Sequence, residues 1–82
     1  MTQKNYKILK DTLIEDKENM ISVKGEKYFI HKEEEGWLVD KVNNNKFVTV
    51  KVYLEYNHIF TDKNYNGFSL DQLSNDIELE YF

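Results

Sequence analysis

The stretch that most constrains this chain is residues 47–60, FVTVKVYLEYNHIF. Val48, Val50, Val52, Leu54, Tyr56, His58 and Phe60 alternate with Thr49, Lys51, Tyr53, Glu55 and Asn57. A period of two marks a strand that buries one side, and Val, Thr, Tyr and Phe favour that conformation. The first set is therefore expected to face a core and the second to face outward. The run is long for one strand, so a bend or bulge is expected within it. A lone strand is not stable, so neighbouring segments must complete a sheet.

Turn residues locate those neighbours. Residues 1–5 read as a lead-in and residues 6–10 as a strand, with 12–14 continuing or turning. The rival for this segment is a short amphipathic helix with Ile8, Leu9, Leu13 and Ile14 near one side. A charged loop, EDKEN, follows. Residues 20–23 form the next strand, with Ile21 and Val23 on one face, and Gly25 supplies a turn that needs positive φ. Residues 26–32 resume as a strand with Tyr28 and Ile30 inward and Phe29 and His31 outward. KEEEG is a hairpin loop, WLVDKV the returning strand, and Asn43, Asn44 and Asn45 a tight turn, because asparagine tolerates left-handed backbone. Residues 61–67 read as a loop. Ser69 and Gln72 then have capping-box spacing. Leu70, Leu73, Ile77 and Tyr81 share a helical stripe, whereas Ile77, Leu79 and Tyr81 also alternate as a strand would. Either a short helix over 70–76 with a closing strand, or one helix to Tyr81, fits this segment.

At 82 residues the chain is expected to be a single domain with a modest core. Charged residues make up 32% and aromatic residues 15%, which suits a folded rather than a disordered chain. There is no cysteine, so disulfides and thiolate chemistry are excluded. No stretch has the apolar length of a membrane span, and the start lacks the apolar core of a secretory signal, so no membrane association and a cytoplasmic location are expected. The net charge of −4 sits at one end: Asp71, Asp76, Glu78 and Glu80 follow Lys63, and no lysine does. Arginine is absent altogether, which counts against reading of guanine edges and bidentate phosphate contacts.

Taken together, YKILKDT, ISVKGEKYFI, WLVD, the asparagine turn, FVTVKVYLE and the terminal EYF resemble small SH3-like barrels found in accessory proteins of bacteria and their phages. The resemblance covers about three quarters of the chain. It implies that Gly25 is a turn, that Tyr28 and Trp37 are core or rim aromatics, and that Tyr81 and Phe82 close a barrel. The long 47–60 strand and the 61–76 segment depart from the pattern. The expected fold is thus mainly β, a small antiparallel SH3-like barrel or strongly bent sheet with one short C-terminal helix.

Little in the sequence points to catalysis. His31 and His58 lie in separate segments without ligand spacing, so no metal site is expected. Ser69 reads as a cap, and Gly25, Gly36 and Gly67 make no phosphate loop. No catalytic residue and no cofactor are assigned, and the chain is expected not to be an enzyme. The candidate partner-binding residues are Glu33, Glu34 and Glu35, an acidic knuckle, together with Asp71, Asp76, Glu78 and Glu80, the acidic tail, and the apolar anchors Trp37, Tyr53 and Phe68. Phe29 and Tyr65 are further candidate outward aromatics. Clustered charge of one sign steers cationic partners, and aromatics anchor interfaces. The expected partner is a larger protein with a basic surface, of the kind that handles nucleic acid, which the chain would modulate or inhibit, in part as an acidic mimic. Direct nucleic-acid binding and a structural oligomer, such as a dimer, are the alternatives.

Overall fold

The computed structural model describes residues 3–80. Among them the chain forms α1 (Gln3–Asp16), β1 (Glu18–Val23), β2 (Glu26–Glu33), β3 (Gly36–Asn43), β4 (Lys46–Tyr53), α2 (His58–Thr61) and β5 (Glu78–Leu79). The strands make one antiparallel sheet in the order β4-β3-β2-β1-β5. The fold is mainly β, and the sheet is open, with β4 and β5 as its edges. Tyr81 and Phe82, expected to close a barrel, lie outside the described residues.

Two tight turns set the register. Lys24 and Gly25 both have positive φ (53° and 78°), as do Asn44 and Asn45 (52° and 65°), the conformation that joins twisted strands with two residues. One face of the resulting meander carries Asn19, Ile21, Val23, Tyr28, Ile30, Trp37, Val39 and Tyr53, all buried. Over it lies a covering layer. Leu9 and Leu13, one turn apart on α1, are fully buried, and α1 packs on β1 and β5. Residues 54–77 cover the rest through Ile59, Phe60, Tyr65, Leu70, Leu73 and Ile77.

Hydrogen bonds rather than regular helix hold this second segment. The Tyr56 hydroxyl donates to the Lys10 carbonyl (2.6 Å), the Tyr65 hydroxyl to the Ile59 carbonyl (2.8 Å), and the Asp71 amide to the Phe60 carbonyl (3.0 Å). Desolvation pushes the Tyr65 hydroxyl's pKa upward, so it stays protonated and donating. Ser69 and Gln72 do form the reciprocal bonds of a capping box, at 3.1 and 3.0 Å. Turns follow instead of a helix, so the expected short C-terminal helix is absent among the described residues, while Glu78–Leu79 is a strand against β1.

Three further expectations are corrected. The segment at residues 6–10 is helix, not strand, because a stripe of Tyr6, Leu9 and Leu13 meets the core and outweighs the local alternation. The 47–60 run is not one strand: it leaves the sheet after Tyr53, and His58–Thr61 is helical. Nor does it bury its valines. A bulge opposite Val39 and Asp40 leaves Val50 unpaired in the ladder and throws the alternation out of step. At this uncovered edge Val48 is 62% exposed, whereas Tyr53, expected outward, is buried.

Candidate functional site

The second face of the sheet has no layer over it among the described residues. Cross-strand partners point to the same side, so the pairs Glu18–His31, Met20–Phe29, Ser22–Lys27, Phe29–Asp40, His31–Leu38, Lys27–Val42, Val42–Phe47, Asp40–Thr49 and Leu38–Val52 define it. Glu78 joins this face opposite Ser22, and Glu80 continues it, its amide donating to the Met20 carbonyl at 2.8 Å. Phe29 and His31 were expected to point outward, and they do.

The face has three zones. Toward β4 apolar groups flank the Asp40–Thr49 pair: Phe47 and Val52 are 50% and 45% exposed, and Leu38, Val42 and Phe29 are half-buried beside them. The Phe29 and Phe47 rings meet edge to face at 5.7 Å. Toward β1 and β5 it is acidic, with Glu18, Glu78 and Glu80, and Lys27 lies 3.6 Å from Glu80. A polar network crosses the middle of the face from β2 to β4. His31 stacks on Phe29 at 4.7 Å, and its Nδ1 and Nε2 lie 2.8 Å from Glu33 and 3.0 Å from Asp40. The Thr49 hydroxyl donates to the other Asp40 oxygen at 2.6 Å. Asp40 is buried, so these bonds offset its desolvation.

A histidine between two carboxylates donates from both nitrogens only as the imidazolium. Burial pushes the His31 pKa down, but the bonds and charges of Glu33 and Asp40 outweigh it and raise the value above its ordinary 6.5. A pKa raised on folding adds stability that is fully present below about pH 6.5 and lost as pH rises through the folded value. The thermal midpoint should therefore fall by a few degrees from pH 6 to pH 8.5, and the fall should be smaller in His31→Gln. An equal slope in both proteins would show that the network does not hold the proton.

In this network Thr49 donates its proton to Asp40, and both imidazole nitrogens are engaged by carboxylates. Among the described residues no group of three or more His, Asp or Glu side chains could hold a metal ion. A separate cleft of about 410 Å³ is lined by Lys51, Tyr53, His58, Thr61 and Asp62, where Tyr53 donates to Asp62 at 2.7 Å. His58, expected to face inward, is exposed there. The chain matches no family model, no curated protein and no solved structure.

The residues singled out from the sequence are dispersed by the fold. Trp37 and Tyr53 are in the core at 6% and 5% exposure, so their rings cannot anchor a partner. Tyr65 is buried too, against Tyr28 at 5.1 Å. Phe68 is exposed but belongs to the covering layer. Asp71 accepts a hydrogen bond from the Tyr6 hydroxyl on that layer, and Asp76 pairs with Lys24 at 3.6 Å beside the β1–β2 turn. Glu34 and Glu35 form the exposed β2–β3 turn. Only Glu33, Glu78, Glu80 and Phe29 reach the open face. The residues that sequence reasoning missed there are Glu18, Leu38, Asp40, Val42, Phe47, Thr49 and Val52. The two-residue turns at Gly25 and Asn44 were the available signal, since they fix which residues lie opposite each other.

Proposed function

We propose that the protein is a non-enzymatic binding module of the cytoplasm that docks its open sheet face on a basic surface of a larger protein and so modulates or inhibits it. A partner that handles nucleic acid has such a surface. The observation that carries it is the uncovered apolar row of Phe29, Leu38, Val42, Phe47 and Val52 beside a carboxylate row. Exposed apolar groups clustered beside charge are a mark of docking surfaces. The face holds five carboxylates (Glu18, Glu33, Asp40, Glu78 and Glu80) against Lys27 and His31, a balance that favours cationic partners over nucleic acid.

Photo-crosslinking tests this directly. A photoreactive phenylalanine placed at Phe47 or at Val52, irradiated in extract of the producing cells, should attach the same larger protein from both positions. The same probe at Glu15 on α1 should not, and rising salt should weaken the capture. Crosslinks only between copies of this chain, only to nucleic acid, or equally from Glu15, would overturn the reading.

A further inference from the structure

The two edges of the sheet are unequal. β5 is two residues long and carries Glu78, with Glu80 just past it, the short and charged kind of edge that resists a further strand. β4 runs for eight residues, holds no proline and no carboxylate, and has no neighbour on its outer side among the described residues. Its exposed apolar side chains lie on both sides of the sheet: Phe47 and Val52 on the open face, and Val48 on the other, past the end of the covering layer. An occupant of either face would leave the opposite side bare. A strand laid along the edge would flank both sides at once.

The β3–β4 turn fixes which backbone groups face that edge. A two-residue turn is closed by a hydrogen-bonded pair, here Asn43–Lys46, and bonded and non-bonded pairs then alternate. Val48 is therefore bonded to Lys41 on β3, whereas Phe47 and Thr49 turn their amides and carbonyls outward. The bulge at Val50 interrupts this order, so residues 46–50 are the regular part of the edge. That segment is symmetric about Val48. Run antiparallel against itself, it sets Val48 on Val48, Phe47 beside Thr49 and Lys46 beside Val50, each on matching sides, and each Phe47 exchanges its outward hydrogen bonds with the Thr49 opposite. Pairing about Phe47 would draw the left-handed Asn45 into the ladder, and pairing about Thr49 would set Phe47 against Lys51, which the bulge places on the other side. No lysine meets a lysine in the arrangement about Val48. The acidic border at β5 lies four strands away, roughly 19 Å at about 4.8 Å per strand, well past a Debye length of about 8 Å.

We infer that a second copy of this chain pairs with the first along β4, antiparallel and centred on Val48, joining two five-stranded sheets into one. A foreign strand would make the same backbone bonds; what selects the copy is the side-chain pattern, which this segment complements by itself. Five residues a side cover less than the roughly 800 Å² per partner of a permanent interface, a standard that holds for any single strand on this edge, so association should be weak and rise with concentration. Pairing uses the edge and leaves the open face free, so this inference and the docking reading stand or fall separately.

Single cysteines read the register, because the chain has none of its own. Across a non-bonded antiparallel pair the Cα atoms stand about 4.5 Å apart, within disulfide reach. Val48→Cys, concentrated in a glutathione redox buffer, should give a disulfide-linked dimer as the main product. Lys46→Cys should not, since its copy lies four residues along, roughly 13 Å away at about 3.3 Å per residue. For the parent chain, sedimentation velocity from about 10 µM to about 1 mM should show the average mass rising from monomer toward dimer. Val48→Lys sets two ammonium groups on the axis at a position already 62% exposed, and should hold the mass at monomer with an unchanged circular dichroism spectrum. In the parent, the amides of Phe47 and Thr49 should exchange more slowly as concentration rises, while that of Val48 should not change. A monomer at every concentration, equal disulfide yield at residues 46 and 48, or a folded Val48→Lys variant that associates like the parent would overturn the inference.

Discussion

Tyr65→Ala should cost about 3–5 kcal/mol, most of what an 82-residue domain has to lose. The ring is fully buried, packs edge to face on Tyr28, and its hydroxyl satisfies the Ile59 carbonyl. Removing it opens a cavity between the sheet and residues 54–77, a segment with little regular structure to resist collapse. Tyr65→Phe keeps the volume and deletes the hydrogen bond, so it should cost about 1–3 kcal/mol for the carbonyl left without a partner. Urea unfolding of the two variants separates packing from hydrogen bonding. If the alanine variant lost less than about 1 kcal/mol, this ring would not be what holds the cover down.

Gly36→Ala is expected to be nearly as severe, for a reason in the backbone. Gly36 has φ +136°, and an added Cβ would stand 2.6 Å from the Tyr53 carbonyl oxygen, which belongs to the neighbouring strand and cannot rotate away. Conformational strain and overpacking together should cost at least about 2 kcal/mol. Gly25→Ala is the control. Its φ is +78° but nothing lies within 4 Å of the new Cβ, so only the backbone term of about 1 kcal/mol remains. Equal losses at the two glycines would show that the close approach to Tyr53 has no energetic weight.

How far the sequence announced this structure depends on where burial follows from local pattern. It does in β1 to β3. The alternation of Ile21 and Val23, of Tyr28 and Ile30, and of Trp37 and Val39 coincides with the covered face, and tight turns lie where Gly25 and the asparagines stand. It fails in β4, whose valines carry the same alternation but sit on an uncovered edge beyond a bulge. No local signal says that a strand will be an edge, because that is decided by what packs elsewhere. Residues 6–10 failed for the converse reason: five residues fit both periods, and only the contact of Leu9 and Leu13 with the sheet selects the helix.

The candidate site was legible in part. Phe29 and His31 were outward from their parity alone. Asp40 and Thr49 could join them only once the β3–β4 register, including the unpaired Val50, was known. The acidic tail illustrates the gap between charge along a chain and charge on a surface. Four carboxylates adjacent in sequence end up beside Tyr6, Lys24, the edge opposite Ser22, and Lys27, so only the last two contribute to one field.

The Asn5 side chain donates to the Ile77 carbonyl at 2.9 Å, which brings the first turn of α1 to the entry of β5. The backbone thus traces an almost complete ring, the arrangement in which cut points and joins can be exchanged. The Asn44–Asn45 bend, two residues of left-handed backbone leading into the edge strand β4, offers a place for the new cut.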